Sequence, residues 1–454
     1  MISALVHRFI PASLYGRETA FSSLARIDRA LNNCKSPDSA ADNLERAKVD
    51  LHAGLRRHFP AVAAQALTVK ILNLFLARYH LQARSAAVMS RPFGLVIDPS
   101  NMCQLACPGC VHSERNEALK IFDWPNATLG EARLSALLKL YGPYAIGAYF
   151  CNYGEPLLNL RTPQLIRLAK TYLMGTALST SLSVRKLDAD AYVESGLDLM
   201  VMSIDGATQA VYERFRRHGD LELVLSNVRK LVEAKRRLHK RTPVLSWNFL
   251  AFEHNAHEIP LAVRMAREMG VNLFRIVNPF DVRWDDPEMR AAPVEGGVRR
   301  LDFSSIGAEA ENWNPFPESL DEGAIARAFE NLWNREYASD DSPASGHTCH
   351  WLYKNMVMDA AGRILPCCGG PPRGANLVFG QFDGDGPDVF NSARYRQARA
   401  WFAGSAPASG DAPHCTQCEW DQRTVNVGSA EIRRYFRAAD AGLFDRRSLR
   451  LLSG

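Results

Sequence analysis

The chain has 454 residues, of which 47% are hydrophobic and 23% are charged. This composition is typical of a globular protein and argues against a disordered or fibrous chain, and the length suggests two or three domains. The 54 basic and 49 acidic residues leave a net charge of +5, a surplus too small to indicate a nucleic-acid partner.

The first region, residues 1–90, is predicted to be a helical domain. No signal-peptide core is visible at its start, and its most apolar stretch, residues 71–77, is too short to span a bilayer. We therefore expect a cytoplasmic enzyme with no transmembrane segment. The helical prediction rests on apolar side chains at three- and four-residue steps, namely Leu24, Ile27, Leu31 and Cys34, then Leu44, Ala47, Leu51 and Leu55.

Residues 91–280 alternate between short strand-like runs and amphipathic helical ones. The predicted strands are GLVID (94–98), AYFCN (148–152), TALSTS (176–181), LMVMSID (199–205), VLSWNFLA (244–251) and NLFRIV (272–277). The helical runs include residues 131–141, 162–173, 221–238 and 258–270. Six strand–helix units in sequence predict an α/β fold with a parallel sheet, either an open layer or a partial barrel. In both arrangements the chemistry lies at the carboxyl ends of the strands.

The remaining sequence is predicted to contain a connector and a small C-terminal domain. Residues 281–347 are rich in Pro, Gly, Asp and Glu and hold one predicted helix at 321–337. The domain at 348–454 begins with a predicted hairpin over residues 355–368, whose turn is DAAG (359–362).

Three of the ten cysteines follow the first predicted strand directly. Cys103, Cys107 and Cys110 form a C-x3-C-x2-C pattern. In a long chain without a secretion signal such thiols are expected to be reduced metal ligands. Three ligands on a four-iron cluster leave one iron open to a substrate or cofactor. The alternative is a closed zinc site, which needs a fourth ligand such as His112.

This cysteine loop, followed by six strand–helix units, resembles the radical S-adenosylmethionine (SAM) superfamily. The resemblance covers about residues 92–279 and implies a partial (β/α)6 barrel. It further implies that Cys103, Cys107 and Cys110 hold a [4Fe–4S] cluster whose open iron binds SAM. In that superfamily one-electron reduction cleaves SAM to methionine and a 5′-deoxyadenosyl radical, which abstracts hydrogen from the substrate.

The ends of strands two to four also resemble the superfamily's SAM-binding elements. YGEP (153–156) is similar to the GGE-type motif that holds the amino group of SAM, and a carboxylate suits a cationic amine. STS (179–181) and SID (203–205) resemble the polar strand ends that bind its ribose and carboxylate. The implied SAM-binding residues are Gly154, Glu155, Pro156, Ser179, Ser181, Ser203 and Asp205.

Two features leave roles open. Gly109 departs from the superfamily pattern, which usually has an aromatic or large apolar residue before the third cysteine, so no adenine-stacking residue is named. The catalytic base is also unidentified. Four polar residues at the end of strand five are candidates for substrate contacts, namely Glu253, His254, His257 and Glu258. The alternative is that they cap the next helix.

The C-terminal cysteines resemble the SPASM/twitch extension of radical SAM enzymes. The resemblance implies one auxiliary [4Fe–4S] cluster of the shorter twitch type, because no cysteine follows Cys418. Its implied ligands are Cys349, Cys367, Cys415 and Cys418, with Cys368 as a possible substitute for its neighbour. A zinc ribbon made from the same four sulfurs is the alternative, since zinc also accepts four thiolates. A fully ligated cluster suits electron transfer.

The resemblance implies a radical SAM oxidoreductase, and three functions are considered. The leading hypothesis is two-electron oxidation of a sugar, cyclitol or other polyol, with the auxiliary cluster accepting the second electron, as in the aminocyclitol alcohol dehydrogenase branch. The first alternative is modification of a peptide or protein, as in ribosomal-peptide or sulfatase maturation. The second is a non-catalytic zinc-binding scaffold. The expected electron donor is a reduced flavodoxin or ferredoxin-type protein.

Overall fold

The computed structural model describes the central part of the chain and portions of both ends. The described residues are scattered positions within 52–81, the ranges 83–114, 125–279, 289–294, 298–303, 349–368, 377–384 and 388–404, and residue 415. The helical run predicted over 24–34, the helix predicted over 321–337 and Cys418 lie outside these residues. The second predicted run is described only at residues 52 and 53, which are helical.

Six parallel strands form the centre of a ten-stranded sheet, in the order in which they occur along the chain. All six were predicted, with ends that differ by at most two residues. They are β1 (Gly94–Ile97), β2 (Gly147–Phe150), β3 (Gly175–Thr180), β4 (Leu199–Ser203), β5 (Val244–Leu250) and β6 (Leu273–Val277).

Helices connect these strands and cover one face of the sheet. Parallel strands paired in chain order are joined by right-handed crossovers, which place successive helices on the same side. Local signals set their ends: the Asp220 carboxylate caps α5 by accepting from the Leu223 N–H at 3.0 Å, and Gly270, with φ of 82°, ends α6. The helices are α1 (Glu131–Tyr141), α2 (Thr162–Thr171), α3 (Ala189–Glu194), α4 (Gln209–Phe215), α5 (Leu221–Arg237) and α6 (Ile259–Met269).

The two faces of the sheet differ in chemistry. On the helix-covered face, side chains such as Trp247 and Phe249 are fully buried in the main core. Strand alternation places Ser203 and Asn248 on the opposite face, and both are only partly buried. We call this second face the inner face. The arrangement is that of a partial barrel whose inner face is reached by solvent.

Four further strands extend the sheet at both edges. The predicted hairpin is confirmed: β8 (Asn355–Met358) pairs antiparallel with β9 (Arg363–Leu365), and Gly362 adopts a φ of 91° at the turn. The sequence did not indicate that β8 also pairs in parallel with β1, which joins the C-terminal region to the main sheet. The outermost strands are β7 (Val298–Asp302), antiparallel to β6, and β10 (Gly380–Gln381), so the described sheet is not closed.

Two helices belong to the C-terminal region that carries β8, β9 and β10. They are α7 (Trp351–Lys354) and α8 (Ala393–Phe402). The buried guanidinium of Arg399 on α8 donates to the carbonyls of Leu352 at 2.9 Å and Phe390 at 2.8 Å. Within the described residues, no helix combines the length and the apolar content needed to cross a lipid bilayer.

A buried lysine connects the N-terminal helical residues to the barrel. Lys70 is 1% exposed, and its ammonium donates to the carbonyls of Gly142 at 2.8 Å and of Ala145. These carbonyls follow the end of α1, where the helix dipole favours a cation. Burial nevertheless lowers the pKa of Lys70 to about 7.

The lowered pKa of Lys70 predicts a pH-dependent contribution to stability. The value in the folded chain lies below the ordinary value of 10.5, so the unfolded state binds more protons between these limits and stability rises with pH there. We expect the unfolding free energy of the wild type, minus that of Lys70→Met, to increase by about 1.4 kcal/mol per pH unit between about pH 7.5 and pH 9. Urea denaturation of both proteins at both pH values measures this difference in unfolding free energy. A difference that does not change with pH would contradict the lowered pKa of Lys70.

Candidate functional site

The three thiols of the first cysteine pattern lie together on the loop that follows β1. Cys107 is buried, and Cys103 and Cys110 are partly buried. All three pack into a small apolar cluster with Phe215 and Phe252. The three thiols are not gathered around a single point, because in the described part of the chain no three His, Cys, Asp or Glu side chains lie close enough together to hold one metal ion. The donor set, three soft sulfurs on one short loop, fits an iron–sulfur cluster in its chemistry.

Gly109 gives this loop its shape. Its φ is 73°, in the left-handed region that glycine adopts without strain, and the Cys110 N–H donates to the Cys107 carbonyl at 3.1 Å. The turn brings the second and third cysteines together. Burial raises the pKa of Cys107 to about 11, although the charge of Arg216 opposes the rise. The backbone conformation therefore explains the glycine at the position where the superfamily usually has a large side chain.

Asp98, directly after β1, binds the loop that carries YGEP. Its buried carboxylate accepts backbone N–H bonds from Asn152 at 3.1 Å, Tyr153 at 2.9 Å and Gly154 at 3.4 Å. Burial raises the pKa of Asp98 to about 7, and the three donors oppose that rise. The residue was not predicted as part of the site. Asp98 thus fixes the loop after β2 relative to the end of β1.

Gly154 lies where the two loops come into backbone contact. A Cβ at this position would lie 1.8 Å from the Ser100 carbonyl oxygen and 2.9 Å from the Asn101 Cα. The next residue continues the contact, because the Glu155 N–H donates to the Met102 carbonyl at 2.8 Å. His112 adds a further link, with Nε2 3.0 Å from the Tyr153 carbonyl oxygen. The glycine is required for the close approach of YGEP to the cysteine loop.

Glu155 is bonded within the protein to the end of β3. Its Oε1 accepts from the Thr180 hydroxyl at 2.6 Å and the Leu157 N–H at 3.1 Å. Its Oε2 accepts from the Ser181 N–H at 2.8 Å and the Ser181 hydroxyl at 2.7 Å. A carboxylate has about four acceptor sites, so these bonds use its capacity. The structure therefore gives Glu155 a role in holding two strand ends together, and its contact with SAM stays a prediction.

Asp205, after β4, forms an ion pair that reaches the cysteine loop. Its carboxylate is fully buried, accepts from the Leu250 N–H at 2.6 Å and lies 2.6 Å from Nε of Arg216. Nη1 of Arg216 in turn lies 3.7 Å from the Cys107 sulfur. Burial raises the pKa of Asp205, and Arg216 opposes the rise. Sequence reasoning missed Arg216, because an arginine eleven residues after Asp205 carries no periodic signal.

The Asp205–Arg216 pair predicts a large effect on stability that does not depend on any cofactor. Arg216→Met leaves a buried carboxylate without its cation, which costs about 3–5 kcal/mol of unfolding free energy. Asp205→Asn in the same chain removes the stranded charge, so the double variant should be less destabilised than the sum of the single ones. Urea denaturation of the four chains gives the coupling, and additive effects would contradict a functioning ion pair.

The sulfur loop and the polar strand ends are also matched by a known family. Residues 97–248 match the family model of the radical SAM superfamily. These residues form a radical SAM domain. The cysteine loop, YGEP, STS and SID all lie within it.

Curated relatives of the radical SAM domain include a probable GTP 3′,8-cyclase of Methanococcus maripaludis strain C5. It is 25% identical over 213 residues, which are 46% of this chain and 66% of that protein. A GTP 3′,8-cyclase of Chlorobaculum tepidum is 25% identical over 204 residues, 43% of this chain and 58% of the relative. The chain therefore matches less than two thirds of the length of these relatives.

Solved structures also match the chain, at low sequence identity. Streptococcus suis SuiB bound to the precursor peptide SuiA is 14% identical, with a TM-score of 0.46 and coverage of 80% of each chain. BtrN in complex with AdoMet and 2-DOIA is 10% identical, with a TM-score of 0.34 and coverage of 69% of this chain and 87% of that one.

The remaining predicted SAM-binding residues surround the same edge of the domain. Pro156 is buried and begins a short 3-10 helix, Pro156–Leu158. Ser181 also accepts from the Gln104 amide of the cysteine loop at 3.2 Å. Ser179 and Ser203 lie on the inner face and are partly buried. The predicted residues thus come together at the carboxyl ends of β2, β3 and β4, and their contacts with SAM stay predictions.

Three of the four predicted auxiliary ligands lie near the aromatic residues Tyr353 and Tyr395, which both contact Arg399. Burial raises the pKa of Tyr395, and the thiols of Cys367 and Cys415 raise it further. Burial likewise raises the pKa of Tyr353, to which Cys349 adds. The neighbouring Cys368 is exposed. Cys367 and Cys415 thus both lie near Tyr395. The auxiliary ligand set, including the choice between Cys367 and Cys368, stays a prediction.

Two of the polar residues at the end of β5 have structural contacts. The Glu258 carboxylate accepts from the Ala207 N–H at 2.6 Å and from the Thr208 N–H at 3.1 Å, which fixes the loop after β4. His254 stacks on Phe252 with ring centroids 5.4 Å apart. The structure therefore gives the Glu258 side chain a role in holding the loop after β4, and not the side-chain capping of the next helix that was the predicted alternative.

Proposed function

We propose that the chain reductively cleaves SAM and uses the resulting radical to abstract a hydrogen atom from its substrate. The observation that carries the proposal is the clustering of Cys103, Cys107 and Cys110 beside the loops after β2 and β4. These thiols would hold a [4Fe–4S] cluster. When bound, the cluster and SAM supply a reducing electron and a carbon-centred radical.

The protein's own residues would hold this site in one geometry. Asp98 and Gly154 fix the YGEP loop against the cysteine loop. Arg216 places a positive charge next to the Cys107 sulfur, which favours the thiolate form that binds iron. The backbone of residues 154–156 and the side chains of Ser179, Ser181 and Ser203 would bind SAM, and Asp205 would position Arg216 beside them.

We propose two-electron oxidation of a sugar, cyclitol or other polyol as the outcome. The substrate would lose a hydrogen atom from carbon to the radical, a proton to a base, and one electron to an auxiliary [4Fe–4S] cluster at Cys349, Cys367, Cys415 and Cys418. Supporting this route, Cys367 and Cys368 lie close enough to affect the pKa of Tyr153, a residue of the YGEP loop whose pKa burial raises. This proximity of two C-terminal cysteines to the YGEP loop supports an electron path between the two proposed clusters.

Modification of a peptide or protein is the second candidate. The described sheet ends at β10 and β7 instead of closing on itself, which leaves room at the side for a large substrate. We propose a reduced flavodoxin or ferredoxin-type protein as electron donor and a cytoplasmic location in either case.

Anaerobic reconstitution of the full chain tests the proposal. About eight iron atoms per chain are expected for two four-iron clusters, and dithionite should drive formation of 5′-deoxyadenosine from SAM. Stoichiometric zinc with no 5′-deoxyadenosine would instead indicate the zinc-binding scaffold. Once SAM cleavage is established, stimulation by added polyols or by peptides separates the two substrate classes.

A further inference from the structure

Two polar side chains occupy the inner face of β5. Their neighbours along the strand, Leu245, Trp247 and Phe249, pack into the main core on the helix-covered side. Strand alternation therefore places Ser246 and Asn248 on the inner face, about 7 Å apart along the strand. Ser246 is 0% exposed, and Asn248 is partly buried. Packing alone favours apolar side chains at buried positions of a parallel strand, so these two polar groups need a different explanation.

Hydrogen bonds within the protein do not satisfy these two groups. The Ser246 hydroxyl and the Asn248 side-chain oxygen are buried, and both lack a hydrogen-bond partner in the part of the chain that the structure describes. By contrast, the hydroxyl of Ser195, another buried serine, donates to the Tyr192 carbonyl at 2.6 Å and accepts from the Leu197 N–H at 3.2 Å. Because buried polar atoms in native proteins are normally bonded, the two atoms on β5 indicate a ligand that supplies the bonds.

The chemistry of the two groups selects the kind of ligand. The Asn248 oxygen only accepts hydrogen bonds, whereas the Ser246 hydroxyl both donates and accepts them. The ligand must therefore present a hydrogen-bond donor to Asn248, which an ionised carboxylate cannot do. No carboxylate lies at the paired positions of the neighbouring strands, which hold Val201 and Ser203 on β4 and Leu273 and Arg275 on β6. An ammonium group would be buried without a counter-charge from these positions, so a neutral hydroxyl fits best.

Backbone contacts place the end of β5 beside the loop that carries SID. Ser203, a predicted SAM-binding residue, pairs with Asn248 in the sheet register. The Ile204 N–H donates to the Asn248 carbonyl at 3.0 Å, and the Asp205 carboxylate accepts from the Leu250 N–H at 2.6 Å. A ligand on the inner face of β5 would therefore lie next to the proposed SAM site.

We propose that Ser246 and Asn248 bind two hydroxyl groups of the substrate. One hydroxyl donates to the Asn248 oxygen, and the other forms a hydrogen bond with the Ser246 hydroxyl. Two groups about 7 Å apart on one strand suit hydroxyls on opposite sides of a sugar or cyclitol ring. The proposal rests on the proposed function and deepens it, because it assigns the binding of a polyol to two residues of β5.

Binding of neutral polyols to the reconstituted full chain, in the presence of SAM, tests this proposal. The probes are myo-inositol and glucose, with acetyl-alanine amide as the probe for a peptide, and titrations are followed by ¹H saturation transfer. At least one polyol should bind more tightly than the amide. Ser246→Ala and Asn248→Ala should each weaken its binding about tenfold, the effect of losing one hydrogen bond.

Urea denaturation separates a binding role from a structural one. Ser246→Ala removes an unsatisfied buried hydroxyl, so its urea midpoint should equal or exceed that of the wild type. Ser195→Ala is the matched control, because it removes a buried hydroxyl that has two partners. This control should have a lower urea midpoint and should bind the polyol as the wild type does.

Several outcomes would overturn the proposal. Binding of neither polyol to the wild type, or tighter binding of the amide, would reject a polyol ligand. Wild-type polyol binding by Ser246→Ala, or a lowered urea midpoint in that variant, would give the hydroxyl a structural role. A parallel loss of SAM binding would assign the two groups to SAM. Polyol binding that depends on Ser246, in a chain that forms no 5′-deoxyadenosine, would refute the proposed function while supporting this site.

Discussion

Gly154→Ala is expected to weaken SAM binding by the reconstituted chain and to slow SAM cleavage sharply. The new methyl group would lie 1.8 Å from the Ser100 carbonyl oxygen, and both contacting atoms closest to it belong to backbone. The YGEP loop must therefore move away from the cysteine loop, which breaks the Glu155 N–H bond to Met102. A misplacement of about 1 Å costs about 100-fold in reaction rate, so dithionite-driven formation of 5′-deoxyadenosine should fall at least that far. SAM affinity should also be lower than in the wild type.

Gly130→Ala is the matched control for this substitution. A Cβ at Gly130 meets no atom within 4 Å, and its φ of −88° suits any residue. SAM affinity measured by equilibrium dialysis should be unchanged in this variant. The unfolding free energy of Gly154→Ala should fall by about 1–3 kcal/mol, the usual cost of overpacking. Wild-type SAM affinity in Gly154→Ala would show that the loop contact does not shape the site.

Substitution of single cysteines is expected to separate the two proposed clusters. Cys103→Ala removes one of three ligands of the SAM-binding cluster, so dithionite-driven 5′-deoxyadenosine formation should be lost completely. Cys415→Ala should reduce iron from about eight to about four atoms per chain while leaving that cleavage intact, because the first cysteine loop is unchanged. Iron analysis and chromatography of the products measure both effects.

Cys368→Ala provides the comparison for the auxiliary ligands. Its thiol is exposed, whereas Cys349 and Cys415 are buried, so the variant should keep both clusters. If Cys368→Ala lost four iron atoms while Cys367→Ala kept all eight, Cys368 and not Cys367 would be the cluster ligand. Full iron in Cys415→Ala would contradict the auxiliary cluster itself.

The alternation of strands and helices could be predicted from the sequence because it depends on local periodicity. The six central strands are short runs of four to seven residues, and the long crossover helices α1, α2, α5 and α6 follow from their own apolar spacing. The short helices α3 and α4 were not predicted. The extension of the sheet could not be predicted in the same way. Pairing of Gly94 with Asn355 joins residues far apart in sequence, and no local pattern encodes it.

The placement of the candidate site residues could be predicted from the sequence better than their contacts. The cysteines and the polar strand ends do come together at one edge, as expected for parallel strands. The sequence could not show that the Glu155 carboxylate accepts hydrogen bonds from Thr180 and Ser181. Nor could it show that Asp205 forms an ion pair with Arg216. Side-chain bonds of this kind depend on the packed geometry of several loops. For the same reason Asp98 was read only as the end of a strand.

Electron paramagnetic resonance of the reduced cluster, recorded with and without SAM, tests the central claim that one iron lacks a protein ligand. The Cys415→Ala chain is the best sample, because it should hold only the cluster of the first cysteine loop. Saturating SAM should shift the g-values of this signal, since its amino and carboxylate groups would coordinate the open iron. An identical signal in the presence of bound SAM would contradict the account.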